Sequence, residues 1–543
     1  MIIMVKRDSL HTLSNKNFLL IILLFTLVLV FVPTLQFIKN TPIGSYYSGV
    51  TLFAPPDANV YLSAIKQGQT GQLLFSNRYN SLSREPLPLV YFPYLFVGFA
   101  TRGLNISVGS LYQIMRLVSA LIFPVGLWYF IQTFIKKQRQ IVFLCTYVFM
   151  GMGWMGVMIG KLIPHVKQVL EICNNACASS NFWIPESTNL PILFTAPHTS
   201  LAVAFLLVNI ALIFQLQQRF RLGKYFQFTL TTILAALFHQ YTLIIIVSVF
   251  VTTCLYEWLK NKERTLLVFL CLGLLTFMPL LAFFLFLFIH HPVMIAWQGR
   301  TNQLSPPLPV YLLGYGWFLL LFPFVTWKIF WSKSEFRFLI IYVLINSILL
   351  YMPVAPQRRF SMGLFAPIGV LGSVGLTILI NKLRNPWRWV IFTGMVSLGL
   401  IDFIFINVSS FKLQALERYK PDSYVYYTKY EDEGFHYLAL TSAIDETVLS
   451  LPRVGNLIPV FAGNFVYLGH WAQTPEFWEK HKEVEMFLRG EIQPQQEFLK
   501  ARNIQYVWIG AEERKYTNTD IFNDSSMQLV FQNPEVEVYR LKI

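Results

Sequence analysis

One carboxylate stands alone in APPDANVYLSAIKQG, residues 54–68, directly after the first long apolar run of the chain. An acid placed there, Asp57, can take a proton from a hydroxyl or an amine. Two prolines precede it, so Asp57 can equally cap a helix beginning at Ala58, accepting hydrogen bonds from first-turn amides. A second acid, Glu85, follows in SREPLP, where a solvated loop carboxylate is the plain alternative. Two arginines, Arg358 and Arg359, occupy PQRRF, residues 356–360, in a short turn between apolar runs. Guanidinium groups match phosphate oxygens in paired hydrogen bonds, so this turn could hold a phosphate or diphosphate; its plain reading is snorkelling to lipid headgroups. His239 in ALFHQYT and His198 in FTAPHTS sit at the ends of apolar runs and could line the same cavity. Lys66, Arg78 and Arg84 are weaker anion contacts, and His290-His291 reads as interfacial.

These groups need elements to hold them, and composition says what the elements are. With 55% hydrophobic, 16% aromatic and 13% charged residues, the chain has apolar runs too long and too numerous for a soluble core. A bilayer interior about 30 Å thick needs roughly 20 apolar residues per helix. Such runs fall at 18–38, 112–134, 141–160, 195–216, 225–239, 241–258, 265–289, 308–331, 338–354, 361–381 and 389–408, which makes eleven spans. Lys6, Arg7 and Lys16 place the N-terminus in the cytoplasm, and the first run reads as a retained anchor with no cleavage site after it. The basic clusters KKQR, RFRLGK, KNKER, KSEFR and KLRNPWR then all fall on the cytoplasmic side. Residues 86–100, apolar but short and rich in proline, are read as a re-entrant or interfacial helix, because a full span there would move every later cluster outside.

The formal charge of +15 is thereby explained as membrane topology and needs no nucleic-acid partner. The sequence holds no Walker loop, no dinucleotide fingerprint, no zinc-type cysteine pairing and no repeat period. Cys145, Cys254 and Cys271 lie within spans; Cys173 and Cys177 share an outer loop, and whether they are bonded stays open. Beyond residue 409 short apolar runs alternate with turns and charges. VLSLPRV, LIPVFAG, FVYLGHW, IQYVWIG, MQLVFQN and VEVYRLKI read as strands, with PEFWEKHKEVEMFLRG and QPQQEFLKA as helices. The expected fold is an all-α polytopic membrane domain over 1–409, whose first outer loop spans 39–110, followed by an extracytoplasmic α/β domain over 410–543.

A long first outer loop with an acid just after the first span, about a dozen spans and an external C-terminal α/β domain resemble the GT-C superfamily of polyprenyl-phosphate-dependent glycosyltransferases. The nearest branch is that of the protein O-mannosyltransferases and lipid A aminoarabinose transferases. PPDANVYLSAIKQGQTGQLLFSNRY looks like that branch's first loop, with a helix and a turn at Gly68 and Gly71, and SREPLPLVYFPYLFVGF looks like the loop's second half. The layout covers residues 1–410, and the motifs cover a small part of it. A closer likeness, to a group of bacterial membrane proteins, is carried by PQRRFSMGLFAPIGVL and GNLIPVFAGNFVYLGHWAQTP.

The resemblance implies that Asp57 is the general base of an inverting transfer from a polyprenyl phosphosugar. The mannosyltransferase pattern has two adjacent acids where this chain has Asp57-Ala58. Glu85 is the candidate for the missing acid, and a divalent cation is the one cofactor left open, since a lone carboxylate is a poor ligand without partners. The expected activity is glycosyl transfer at the outer face of the plasma (inner) membrane. Arg358 and Arg359 would hold the lipid phosphate, with a glycan, lipid or protein as acceptor. The alternative is a transporter or flippase of lipid-linked saccharides, against which the nearly charge-free span centres count.

Overall fold

Inside hydrocarbon every backbone N–H and C=O must be bonded within its own segment, so long apolar runs become helices. The computed structural model describes residues 14–51, 54–81, 84–149, 189–300, 303–315, 319, 331–384, 386–387, 390, 393–394, 415–420, 422–517 and 526–542. Among the described residues six helices are long and apolar enough to cross a bilayer: Asn15–Lys39, Val108–Phe134, Pro197–Gln218, Tyr241–Asn261, Arg264–His290 and Gln357–Ile380. The expected spans 225–239 and 338–354 correspond to the shorter helices Leu222–Phe238 and Ser334–Leu349. Most of the spans expected at 141–160, 308–331 and 389–408, and the pair Cys173 and Cys177, lie outside the described residues. The architecture is that of a multi-pass membrane protein with a sheet-containing C-terminal region.

Residues 86–100 form only the nine-residue helix Phe92–Ala100. At about 1.5 Å per residue it rises roughly 14 Å, half of a bilayer interior. It lies against the helix Pro55–Gln69 through two glycines: a Cβ on Gly68 would overlap the Leu95 carbonyl, and one on Gly98 the Ile65 carbonyl. Small residues are what let two helix backbones approach this closely.

The chain divides into two compact units. The first comprises residues 1–30, 117–287 and 302–409. Its helices Pro197–Gln218 and Leu222–Phe238 are tied by buried Asn209, whose Nδ2 donates to Thr232 Oγ1 at 2.7 Å and to the Phe228 carbonyl at 3.0 Å. Arg337 pairs with Glu257 at 2.8 Å.

The second unit comprises residues 31–116, 288–301 and 410–543, so one division falls at the composition break near 409, and the unit after it also takes in the outer loop 39–110. The strand β1, Ser45–Tyr47, pairs antiparallel with β2, Tyr426–Thr428. Thr428 then opens the helix Lys429–Thr441 with a capping box: its hydroxyl accepts from the Glu431 amide, while the Glu431 carboxylate accepts from the Thr428 amide. Next come β3 (Thr447–Leu449), β4 (Phe465–Val466), β5 (Tyr506–Ile509), β6 (Met527–Gln532) and β7 (Glu537–Leu541). They form one sheet in the order β4-β3-β5-β7-β6. β3 runs parallel to β4 and β5, and β7 runs antiparallel to β5 and β6.

Parallel neighbours need a crossover, usually helical, and this corrects one strand expectation. LIPVFAG lies mostly in the helix Pro452–Phe461, which carries the chain from β3 to β4. Pro452 starts that helix, where its missing N–H costs nothing, and Val454, Leu457, Ile458 and Val460 are all buried. FVYLGHW is a strand only over its first two residues. The core of this unit gathers Ile65, Tyr94 and Tyr112 with Phe435, Leu457 and Trp508. Residues before 116 and after 425 thus share one interior.

Candidate functional site

Asp57 lies in the first turn of the helix Pro55–Gln69. The helix begins with two prolines, whose fixed φ and missing N–H suit a first turn. Its cap residue is Ala54, and no side chain caps it, so Asp57 is not used in the capping role that its position after two prolines allowed. The carboxylate goes elsewhere: Oδ1 lies 2.7 Å from Nε2 of His470. Asp57 is 44% exposed at its side chain and His470 only 2%, so a buried imidazole presents an accessible acid. Among the described residues Oδ2 has no hydrogen-bond partner. The positive end of the helix dipole further favours a carboxylate there.

His470 belongs to a turn that builds itself. The backbone N–H groups of Ala472 and Gln473 both donate to His470 Nδ1, at 3.1 and 3.2 Å. The Thr474 amide donates to the His470 carbonyl at 2.8 Å, and Thr474 Oγ1 accepts from the Gly469 amide at 3.2 Å. A nitrogen that accepts carries no proton, so the ring proton is on Nε2 and Nε2–H donates to Asp57. The contact is therefore a hydrogen bond from a neutral imidazole to a carboxylate.

A buried amide network keeps the two segments in register. Asn59 Nδ2 donates to Asn456 Oδ1 at 2.6 Å, and both side chains are fully buried. Asn456 Nδ2 donates to the Pro56 carbonyl at 3.4 Å, and its own carbonyl accepts from the Tyr79 hydroxyl at 3.1 Å. Asn77 Nδ2 donates to the Gln473 carbonyl at 3.0 Å, and Gln473 Nε2 to the Tyr91 hydroxyl at 3.3 Å. Burial holds the Tyr79 phenol well above its ordinary pKa, which keeps it a donor. Close backbone packing completes the arrangement, since a Cβ on Gly455 would overlap the Leu468 carbonyl.

The remaining candidates in this unit have different surroundings. Glu85 is 60% exposed, and His291 Nε2 lies 3.9 Å from its carboxylate. Arg78 is buried, stacks over Phe465 at 4.4 Å and donates to the Ile444 carbonyl at 3.0 Å. Burial, with the Arg84 charge nearby, pushes its guanidinium down to about 10. Arg84 sits over the same ring at 5.2 Å and pairs with Asp445 at 3.5 Å. Lys66, on the helix that carries Asp57, is half-buried, and burial lowers its ammonium. Among the described residues no group of three His, Cys, Asp or Glu side chains is arranged to hold a metal ion. Asp57 and His470 alone do not fit a divalent cation, which takes six or more oxygen ligands in all-protein sites.

In the first unit the two histidines come together: the His198 and His239 rings stack at 5.8 Å. His239 also meets Tyr241 at 5.4 Å, and Arg359 is near enough to act electrostatically on both. Arg358 and Arg359 lie on the 3₁₀ turn Gln357–Ser361. The turn is anchored by the Arg358 amide donating to the Gln303 carbonyl at 3.0 Å. The candidates thus form two groups, Asp57 with Glu85, Lys66, Arg78 and Arg84 in one unit and His198, His239, Arg358 and Arg359 in the other.

Two residues central to the Asp57 surroundings, His470 and Asn456, were not among those singled out by type and spacing. Both lie in GNLIPVFAGNFVYLGHWAQTP, a string distinctive in itself. The detectable signal was a histidine in a Gly-His-x-x-x-Thr-Pro turn.

No family model and no curated protein matches the sequence. Solved structures do. ArnT from Cupriavidus metallidurans bound to undecaprenyl phosphate superposes with a TM-score of 0.50 at 10% identity, covering 97% of this chain and 98% of that one. The same protein in the apo state gives 0.48 at 9% identity, covering 95% and 97%. The archaeal oligosaccharyltransferase AglB from Archaeoglobus fulgidus, in complex with an inhibitory peptide and a dolichol-phosphate, gives 0.48 at 10% identity, covering 92% and 71%. At these identities the likeness is one of fold alone.

Proposed function

We propose that this chain is a membrane glycosyltransferase that moves a sugar from a polyprenyl-phosphate-linked donor to an acceptor at the outer face of the plasma (inner) membrane. The observation that carries the reading is Asp57: an exposed carboxylate at a helix N-terminus, with one oxygen held by a buried histidine and the other unpartnered among the described residues. That is the arrangement a general base needs, since a base must reach its proton in a fixed pose. The full-length fold likeness to a protein that binds undecaprenyl phosphate supports the choice of donor. Asp57 deprotonates the acceptor as it attacks the anomeric carbon, and the polyprenyl phosphate leaves on the opposite face, inverting the centre. Glu85 orients acceptor or donor. Arg358 and Arg359 are the groups that bind the lipid phosphate, with His239 in electrostatic reach of Arg359 and His198 stacked on His239. Arg78, Arg84 and Lys66 contribute positive charge to the outer loop.

The test is to incubate purified protein with undecaprenyl-phosphate-linked radiolabelled glucose, mannose and 4-amino-4-deoxyarabinose, each separately, and follow release or transfer of the label. Cleavage of one donor supports the reading. Movement of intact donor across proteoliposomes with no cleavage of any donor contradicts it and favours a flippase.

A further inference from the structure

A carboxylate beside a histidine invites the idea of a proton relay, and the hydrogen bonds around His470 argue against one. A relay needs the imidazole to accept at one nitrogen while releasing at the other. Here Nδ1 is occupied by two backbone donors, Ala472 N–H at 3.1 Å and Gln473 N–H at 3.2 Å, and Nε2 already carries the proton it gives to Asp57. A proton arriving at Nδ1 would have to break both backbone contacts in a turn whose donors are buried, with Thr474 at 0% and Ala472 and Gln473 at 5% exposure, Trp471 alone standing out at 53%. The other titratable groups near the pair are Tyr79, whose ring is 6.0 Å from His470, and Tyr112, close enough to sense the Asp57 charge. Tyr79 is engaged with the Asn456 carbonyl.

We infer that His470 is a positioning residue supplied by the C-terminal region: it fixes Asp57 Oδ1 and leaves Oδ2 as the sole proton acceptor, so that Asp57 is the terminal base. This rests on the glycosyl-transfer reading for its chemistry. The acceptor O–H or N–H proton passes to Asp57 Oδ2 while the acceptor atom bonds to the anomeric carbon. The bond from that carbon to the phosphate oxygen breaks, and its electron pair leaves with the polyprenyl phosphate. His470 is unchanged throughout, and Asp57 returns its proton to water through its exposed side. The consequence for organisation is that residues after 410 complete the base, although the acid lies near the N-terminus.

Glutamine distinguishes positioning from relay, because its terminal amide can donate at the place of Nε2–H but cannot carry a proton through. With whichever labelled undecaprenyl-phosphate sugar is turned over, His470→Gln should retain turnover within about tenfold of wild type. His470→Ala should fall about 100-fold, the size of loss expected when a reacting group is misplaced by an ångström. His470→Gln as inactive as His470→Ala, in protein that still folds, overturns the inference. A second measurement does not depend on activity: nitrogen NMR of histidine-labelled wild-type protein, with His470 assigned by its loss in His470→Gln. A neutral ring protonated at Nε2 supports the inference, and a proton on Nδ1 overturns it. Absence of turnover with every donor would count against the glycosyl-transfer reading, while the NMR result would still decide the state of His470.

Discussion

The amide pair Asn59–Asn456 offers a quantitative check on whether the outer loop and the C-terminal region form one structure. Both side chains are fully buried, and Asn59 Nδ2 donates to Asn456 Oδ1 at 2.6 Å. Among the described residues Asn59 Oδ1 has no partner of its own, so in Asn456→Ala the whole Asn59 amide loses its bonds to them. A lost hydrogen bond costs about 1 kcal/mol net, and an orphaned buried polar group about 1–3 kcal/mol. Each single alanine variant should therefore lose roughly 2–4 kcal/mol. The double variant removes both partners and leaves no orphan from this bond, so it should be less destabilised than the sum of the singles by about 1–3 kcal/mol. Thermal melts of the four detergent-solubilised proteins read this directly, at about 2–4 °C per kcal/mol for a unit of this size class. Additivity within about 0.5 kcal/mol would refute the contact. Folded Asn456→Ala should also turn over more slowly, because the Pro56 carbonyl and the Asn59 amide that Asn456 holds flank Asp57.

One control in the first unit and three further outcomes in this second unit follow. Gly68→Ala should destabilise it by about 1–3 kcal/mol, since the added Cβ meets the Leu95 carbonyl of a packed helix. Gly223→Ala in the helix Leu222–Phe238, with nothing within 4 Å of the added atom, should be neutral or stabilising in the same melts. Burial lifts Glu513 from 4.5 to about 7, so folding favours its protonated form. That stability is complete below 4.5 and lost as pH rises through 7, a change of roughly 3 kcal/mol, and Glu513→Gln should flatten the pH dependence of melting across that window. Arg453 and Glu431 form a buried ion pair with N–O separations of 2.5 and 3.0 Å. Glu431→Ala takes the paired carboxylate from a buried guanidinium and should cost about 3–5 kcal/mol, read as a collapse of the melting temperature.

Membrane character and much of the helical frame were legible in the sequence because hydrocarbon demands long, uncharged runs, a local property that one chain displays openly. The shortness of the helix Phe92–Ala100 was legible for a related reason: counting it as a span would have put the basic loops on the wrong side of the membrane. Asp57 was legible as an isolated acid after a span, but the use of its carboxylate was not. Its partner His470 is 413 positions away, and no local pattern records such a pairing. The helix over LIPVFAG was misread because a short apolar run has no period of its own, and only the parallel pairing of β3 and β4 calls for a crossover there. Arg78 shows the reverse case. As a loop cation it looked available for an anion, whereas its guanidinium is stacked on Phe465 and bonded to the Ile444 carbonyl.

Donor turnover by Asp57→Asn tests most directly whether Asp57 is the base of a glycosyl transfer. Asparagine keeps the size of the side chain and can still accept from His470 Nε2–H, so fold and membrane insertion should be retained. It cannot take the acceptor proton, so transfer from a radiolabelled undecaprenyl phosphosugar should fall by about 10²–10⁴-fold. Turnover at the wild-type rate in folded Asp57→Asn would mean that Asp57 is not the base.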